Sequence, residues 1–505
     1  MAGKSMPDLK SKLTKFFEKY GLIMVLGISI IIMFLFFYVH LESKIGLNTS
    51  ALILAVLITL SLFVMVLLHI DERIIMSIML VIIGVIYMNI FPNGSVPDDA
   101  THWQRAFEVS TGSLVSEHIG ESGVGGNYMS AGLMNYKDES AELDESMEQA
   151  YTYGNTALYA PFSYLPQSLG IAIANVFTDN VSDIFSAGRW GNFIVAMVLC
   201  IMALYITPFG RKLLFMIMMF PMSMQEMVSL APDGFVIALS LLYVAYILKL
   251  TYQSDVIKKK EIAFLTILSV LISLCKIVYI ALLLLIFMIP NSKFDSKKQW
   301  ICAKFGVIGF AVVLNLIWLS ISSGFLIEFN PGVDSGAQVL YVLTNIFEYL
   351  LIVIATVIEN GAWYVQTLFG SSLGELCVNV SPMAWMLFII LFVYEIGQNR
   401  ECDVVPHKTD RWIILVTFLG GAALIFTSLY VQWTPYANEM VNGVQGRYFI
   451  PFIALLGLFA MLTNREKAIA NNINNVVKEK SSYFYFILLL INGIAVLDII
   501  NYYMG

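Results

Sequence analysis

The chain has 505 residues, 58% of them hydrophobic and 13% charged, with a net charge of −7 and a mean hydropathy of +0.78. A soluble domain carries about 45–50% apolar and about 25% charged residues, so this composition excludes a soluble enzyme with a hydrophobic tail, a disordered protein and a nucleic-acid binder. It leaves an all-α polytopic transmembrane helix bundle, because helices satisfy their own backbone hydrogen bonds in lipid.

Residues 1–20, MAGKSMPDLKSKLTKFFEKY, lead into a long apolar run without a small-residue cleavage site. That run reads as a retained anchor rather than a removed signal peptide. A crossing helix needs about 20 mostly apolar residues. In chain order the segments 22–40, 50–69, 73–91, 187–207, 213–231, 234–251, 300–320, 382–397, 411–432, 448–463 and 483–500 read as spans. The stretch 263–290 carries Lys276 near its middle and reads as two short helices, 263–275 and 277–290, meeting at that lysine. The total is about 13 spans.

Orientation follows from the basic residues. A cytosolic N-terminal tail, with Lys4, Lys10, Lys12, Lys15 and Lys19, leaves only six of the 29 Lys and Arg outside: Lys44, Arg105, Lys137, Arg189, Lys276 and Arg447. The stretches 159–177 and 338–358 then fall outside as well and read as interfacial or half-embedded helices. The chain divides into a cytosolic tail with three spans (1–91), a large extracytoplasmic loop with interfacial helices (92–186), a central transmembrane module (187–320), an outer loop with an interfacial helix (321–381) and a C-terminal transmembrane module (382–505). Of five cysteines only Cys377 lies in an outer loop, and no CxxC spacing occurs, so no disulfide is expected.

The loop 92–186 contains the acidic run Asp138, Glu139, Glu142, Asp144, Glu145 and Glu148 beside the glycine-rich GESGVGGNY, and reads as a solvated flexible loop, with an acceptor-contacting lid as the alternative. Its start, Pro97-Asp98-Asp99-Ala100-Thr101-His102-Trp103-Gln104-Arg105, holds two adjacent carboxylates. Asp98 or Asp99 can cap a helix, serve as a general base, or together bind a divalent cation. Four of the outer cations, Arg105, Arg189, Lys276 and Arg447, lie at or near helix ends, where they can hold a phosphate or snorkel to headgroups. Lys276 interrupts an apolar stretch, which is costly and marks a functional candidate. Asp233, in SLAPD, caps the next helix or completes a polar site, and Glu226 lies close to the same end. The glycines of Gly443-Val444-Gln445-Gly446-Arg447-Tyr448-Phe449 allow close backbone approach to a ligand. No GxSxG, HExxH, Walker or Rossmann pattern occurs, so a cytosolic nucleotide donor is not expected.

The segments PDDATHWQRAFEVSTGSL (97–114), YAPFSYLPQSLGIAIANVF (159–177), GRWGNF (188–193), SLAPDGF (229–235), SLCKIVYIALLLL (273–285) and GVQGRYFIP (443–451) occur in one order across about residues 90–460. Together the chain resembles a bacterial family of polytopic proteins assigned to the GT-C glycosyltransferase superfamily. The family pattern has Pro-Asp-Glu where this chain has Asp99 in third place, and the two spans before 73–91 stand as an N-terminal extension. The resemblance implies interfacial helices on the outer face of a bacterial cytoplasmic membrane, and transfer of a sugar from a polyprenyl-phosphate carrier to a cell-envelope glycan acceptor. It implies that Asp98 or Asp99 deprotonates the acceptor. Arg189, Lys276 and Arg447, with Arg105, then face the carrier phosphate, and His102, Asp233, Gln445 and Tyr448 contact acceptor or donor. The competing functions are a transporter or flippase of lipid-linked saccharide, a carrier-dependent polymerase or ligase, and a non-catalytic envelope scaffold.

Overall fold

The computed structural model describes residues 70–120, 124–328, 330–398, 404–470 and 483–504. The N-terminal tail and the spans expected at 22–40 and 50–69 lie outside the described residues. Sixteen α-helices and two small antiparallel sheets make up the described chain.

Helix α1 (Glu72–Ile90) opens on Asp71, whose carboxylate accepts the Arg73 amide hydrogen at 2.9 Å. The short polar helix α2 (Asp99–Ser110) follows, buried along nearly its whole length. The loop expected to be flexible instead forms a three-stranded sheet, β1 (Glu117–Ile119), β2 (Val124–Ala131) and β3 (Asp144–Thr152), in the order β1-β2-β3. Two anchors on α2 account for this. Glu108, fully buried and ion-paired with Arg105, accepts a hydrogen bond from Asn127 of β2 at 2.9 Å. The Trp103 indole donates to the Leu133 carbonyl at 2.8 Å. The acidic side chains of β3 stay in solvent.

Helix α3 (Leu165–Ala174) has ten residues, about 15 Å, too few to cross a bilayer. It lies on α4 (Val181–Ile206), with Leu169 and Ile173 exposed along its outer edge and Phe177 exposed just beyond its end. A Cβ at Gly170 would strike the Ala187 carbonyl oxygen, and one at Gly191 the Pro166 carbonyl oxygen. Backbone cannot yield as a side-chain tip can. Gly191→Ala is therefore expected to cost about 1–3 kcal/mol, read as a lower melting temperature in detergent; an unchanged melt would show that the two helices separate freely.

The expected span 213–231 is two short helices, α5 (Arg211–Met218) and α6 (Pro221–Met227), because Pro221 lacks an amide hydrogen and ends the run. The Met219 carbonyl left open at the break accepts from Asn492 at 3.2 Å. Helix α7 (Asp233–Tyr252) is apolar and buried on all sides, as a central helix must be. Helix α8 (Lys259–Cys275) ends where Lys276 turns extended (φ −149°), and Ile277–Met288 continues as a 3₁₀ helix. The expected break at Lys276 is thus present. At about 2.0 Å per residue the 3₁₀ geometry carries those 12 residues about 24 Å, most of the hydrocarbon thickness of about 30 Å.

Helices α9 (Lys297–Ile301) and α10 (Val307–Ser322) are joined by a π-helical turn, Cys302–Gly306. The stretch read as one interfacial helix at 338–358 is two helices, α11 (Ser335–Thr344) and α12 (Ile346–Phe369), broken at Asn345. A two-residue-strand hairpin, β4 (Ser372–Leu373) and β5 (Val378–Asn379), precedes α13 (Pro382–Gln398), α14 (Asp410–Gln432), α15 (Ile450–Ala470) and α16 (Tyr483–Met504). Eight helices among the described residues are long and apolar enough to cross a membrane. All but one fall on expected spans; the exception is α12. The expected span 213–231 is the pair α5 and α6, the two short helices expected at 263–290 are α8 and the 3₁₀ helix, and the expected 382–397 is α13, a shorter apolar helix.

Candidate functional site

At one end of the bundle, four chain breaks bring charged groups together. The start of α2 brings Asp98, the end of α6 brings Glu226, the start of α7 brings Asp233, and the α8–3₁₀ junction brings Lys276. Arg447 arrives on the 3₁₀ turn Gly446–Phe449. Its guanidinium lies 3.3 Å from the Glu226 carboxylate and 3.4 Å from that of Asp98. Lys276 pairs with Asp233 at 2.5 Å, and its ammonium lies 5.5 Å from the ring centres of both Tyr159 and Tyr448. Tyr448 also stacks beneath Arg447, and its carbonyl is held by the Tyr279 hydroxyl at 3.2 Å. Three carboxylates thus face two cations in a collar of tyrosines.

The adjacent aspartates have separate roles. Asp98 sits at φ 65°, a left-handed conformation costly for any residue with a Cβ, and its side chain makes no cap bond. That carboxylate is 63% exposed and turned to Arg447. Strain of this kind persists where surrounding contacts enforce it, and it gathers at functional sites. Asp99 is buried, with one oxygen accepting the Leu230 amide at 3.1 Å and the other the Val96 amide at 3.3 Å. It ties α2 to the α6–α7 turn, so of the two aspartates left open by the sequence, Asp98 is the one with a carboxylate turned to the charged cluster. Because the two carboxylates point apart, they do not form a joint divalent-cation site. Among the described residues no group of three or more His, Cys, Asp or Glu is placed to hold a metal ion.

His102 is buried, its Nδ1 2.8 Å from the Tyr164 hydroxyl. Burial pulls its pKa down to about 4, so the imidazole is neutral near pH 7 and orients Tyr164 rather than donating a proton. Burial pushes the Asp99 carboxyl up to about 6, against the opposing pull of Arg189. A carboxyl raised on folding stabilises the fold fully below its unfolded pKa and loses that contribution as pH rises through the folded value. Comparing wild type with Asp99→Asn isolates this group, because His102 titrates in both. The stability advantage of wild type over the variant is expected to fall by about 2 kcal/mol between pH 4 and pH 7, measured as denaturation in detergent at each pH. A pH-independent difference would count against it.

The four cations divide two and two. Arg189 spends its donors on the Val228 carbonyl (2.8 Å), the Asn93 side chain (2.9 Å) and the Met88 carbonyl (3.2 Å). Arg105 is fully buried behind Glu108 and donates to the Leu114 and Tyr159 carbonyls. Arg189 thus has its donors on protein oxygens, and Arg105 is enclosed by Glu108 and two carbonyls with its Nε buried and unpartnered among the described residues; both act as structural clamps in this arrangement, whereas the resemblance implies phosphate ligands. Arg447, by contrast, holds its two carboxylates only at long distance, and, like Arg105, it leaves its Nε buried without a partner among the described residues. Gln445 lies in the same segment with its Oε1 likewise buried and unpartnered. The close approach expected of Gly446 is not to a ligand: a Cβ there would strike the backbone of α12 at Tyr364 and Leu368. Glu226, absent from the sequence-derived site, belongs to it. Its signal is a charge inside the apolar run PMSMQEMVSL, where an unpaired carboxylate is expensive.

The family model described as "Predicted membrane protein (DUF2142)" matches residues 80–456, well over half of the chain. No curated protein matches, and no solved structure matches.

Proposed function

Since the chain belongs to the DUF2142 family of predicted membrane proteins, we propose that its charged cluster performs group transfer at a membrane surface. The reading is a GT-C-type glycosyltransferase that moves a sugar from a polyprenyl-phosphate carrier to an envelope glycan on the outer face of a bacterial membrane. The observation that carries it is the pairing of a strained, solvent-open Asp98 with Arg447, beside the Lys276–Asp233 pair, at the end of an apolar bundle. In this reading the Asp98 carboxylate takes the proton of an acceptor hydroxyl as its oxygen bonds the anomeric carbon. The bond from that carbon to the carrier phosphate breaks in line, which inverts the sugar carbon. The charge developing on the phosphate falls to Arg447 and Lys276, fixed donors in a partly dry site that need no reorganisation. Tyr159 and Tyr448 keep Lys276 in place and limit water.

Cells lacking the protein are expected to lose one sugar from their envelope glycans and to accumulate the corresponding lipid-phosphate sugar, measured by glycan composition and lipid extraction. Unchanged glycans would overturn the reading. Purified protein that moves the lipid-linked sugar between vesicle leaflets without consuming it would favour a flippase instead.

A further inference from the structure

The end of the bundle that carries the charged cluster holds a second opening. A cavity of about 440 Å³ lies between residues 92–95, the turn at 136–139, the β4–β5 hairpin and the end of α16. That volume falls in the range of small-molecule sites, about 300–1,000 Å³. Three tyrosines line its walls. Tyr136 stacks on Phe185, centroids 4.5 Å apart at 22°. Tyr503 donates to the Ser95 carbonyl at 3.2 Å. Tyr502, half-exposed, stands perpendicular to Tyr503 at 88°. The remaining wall carries Lys137, Glu139 and Glu375, all exposed and without an ion pair or side-chain hydrogen bond among the described residues. Leu376, next to Glu375, is held at φ 62°, outside the range a bulky residue adopts freely, and Cys377 follows it into the wall.

The chemistry of these walls selects among occupants. A phosphate or other anion would meet two carboxylates against one lysine. An acyl chain would strand three unpaired charges. A sugar ring offers C–H faces to the tyrosines and hydroxyls that both donate to the carboxylates and accept from the lysine. The cavity is also joined to the cluster by two routes. Ser95 lines it three residues before Asp98. The Gly374 amide at the hairpin donates to Gln225 at 2.6 Å, next to Glu226.

We propose that this cavity binds a saccharide unit of the acceptor glycan, holding the chain while a neighbouring hydroxyl reaches Asp98. The substrate assignment rests on the glycosyl-transfer reading above; the saccharide-binding claim is tested without it.

The test uses the full chain in detergent with Cys302→Ser and Cys402→Ser. Cys377 is then the thiol open to a maleimide, since Cys200 and Cys275 are buried. The probes are methyl glycosides of a hexose, a 6-deoxyhexose and an N-acetylhexosamine, with inorganic phosphate for comparison. At least one glycoside is expected to slow Cys377 labelling, and phosphate is not. Tyr502→Ala and Glu375→Gln are each expected to weaken the protection about tenfold, and Asp98→Asn to leave it intact. Failure of every glycoside to protect, equal protection by phosphate, or protection unaltered in both wall variants would overturn the proposal. The two readings fail separately. Protection with a fully active Asp98→Asn would sink the catalytic role and keep the cavity; loss of transfer in Asp98→Asn without any protection would do the reverse.

Discussion

Asp98→Asn is expected to lower sugar transfer by about 10²–10⁴-fold, the usual contribution of a general base, while the melting temperature stays near that of wild type. The separation of the two effects follows from the geometry. Asp98 makes no cap bond, is largely in solvent, and touches the protein through one long contact to Arg447. Asn tolerates the left-handed backbone as well as Asp does, so the substitution removes the basic oxygen and keeps the turn. The measurement is turnover of a polyprenyl-phosphate sugar by purified protein, alongside its melt. Turnover within a few-fold of wild type would remove Asp98 from the chemistry and with it the central step proposed here. Asp99→Asn should behave in the opposite way, because Asp99 holds two backbone amides rather than facing the opening: its loss appears in the melt first.

The second large effect is expected at Arg447. Arg447→Met leaves Glu226 fully buried without its cation, and breaking a buried pair by removing one partner costs about 3–5 kcal/mol. Transfer should vanish as well, since the phosphate loses one of its two fixed cations. Adding Glu226→Met removes the stranded carboxylate and is expected to return most of the stability without returning activity. That double-mutant comparison, by melting and turnover on the four proteins, separates the structural share of the pair from its catalytic share. If the double variant regains transfer, Arg447 does not serve the phosphate.

Much of this was readable from the chain alone, and for one reason. A charge inside an apolar segment is costly wherever the rest of the protein lies, so Lys276 in SLCKIVY stands out locally, and Arg447 stands out as one of the few outer cations, at a helix end behind two glycines. The break at Lys276, the short helix at 165–174 and most spans follow from the same local arithmetic of apolar run length. The sheet in the 92–186 loop did not stand out. Its strands carry glycines and carboxylates rather than an alternating apolar face, and it is held by Asn127 reaching Glu108 and by Trp103 reaching Leu133.

Which of two neighbouring aspartates faces the opening was decided by the Leu230 amide, 131 residues away along the chain. Which arginines keep spare donors was decided by carbonyls: Arg189 finds those of Met88 and Val228, whereas Arg447 finds two distant carboxylates and leaves its Nε unpartnered among the described residues. The cavity beside the cluster gathers its walls from residues 92–95, 136–139, 375–377 and 502–503. The sequence by itself determined that this is a helical membrane protein and where its costly charges sit, because burial in lipid is priced residue by residue. Only the tertiary structure decided which of those charges are committed and which are open, because pairing depends on distances between segments that no local pattern encodes.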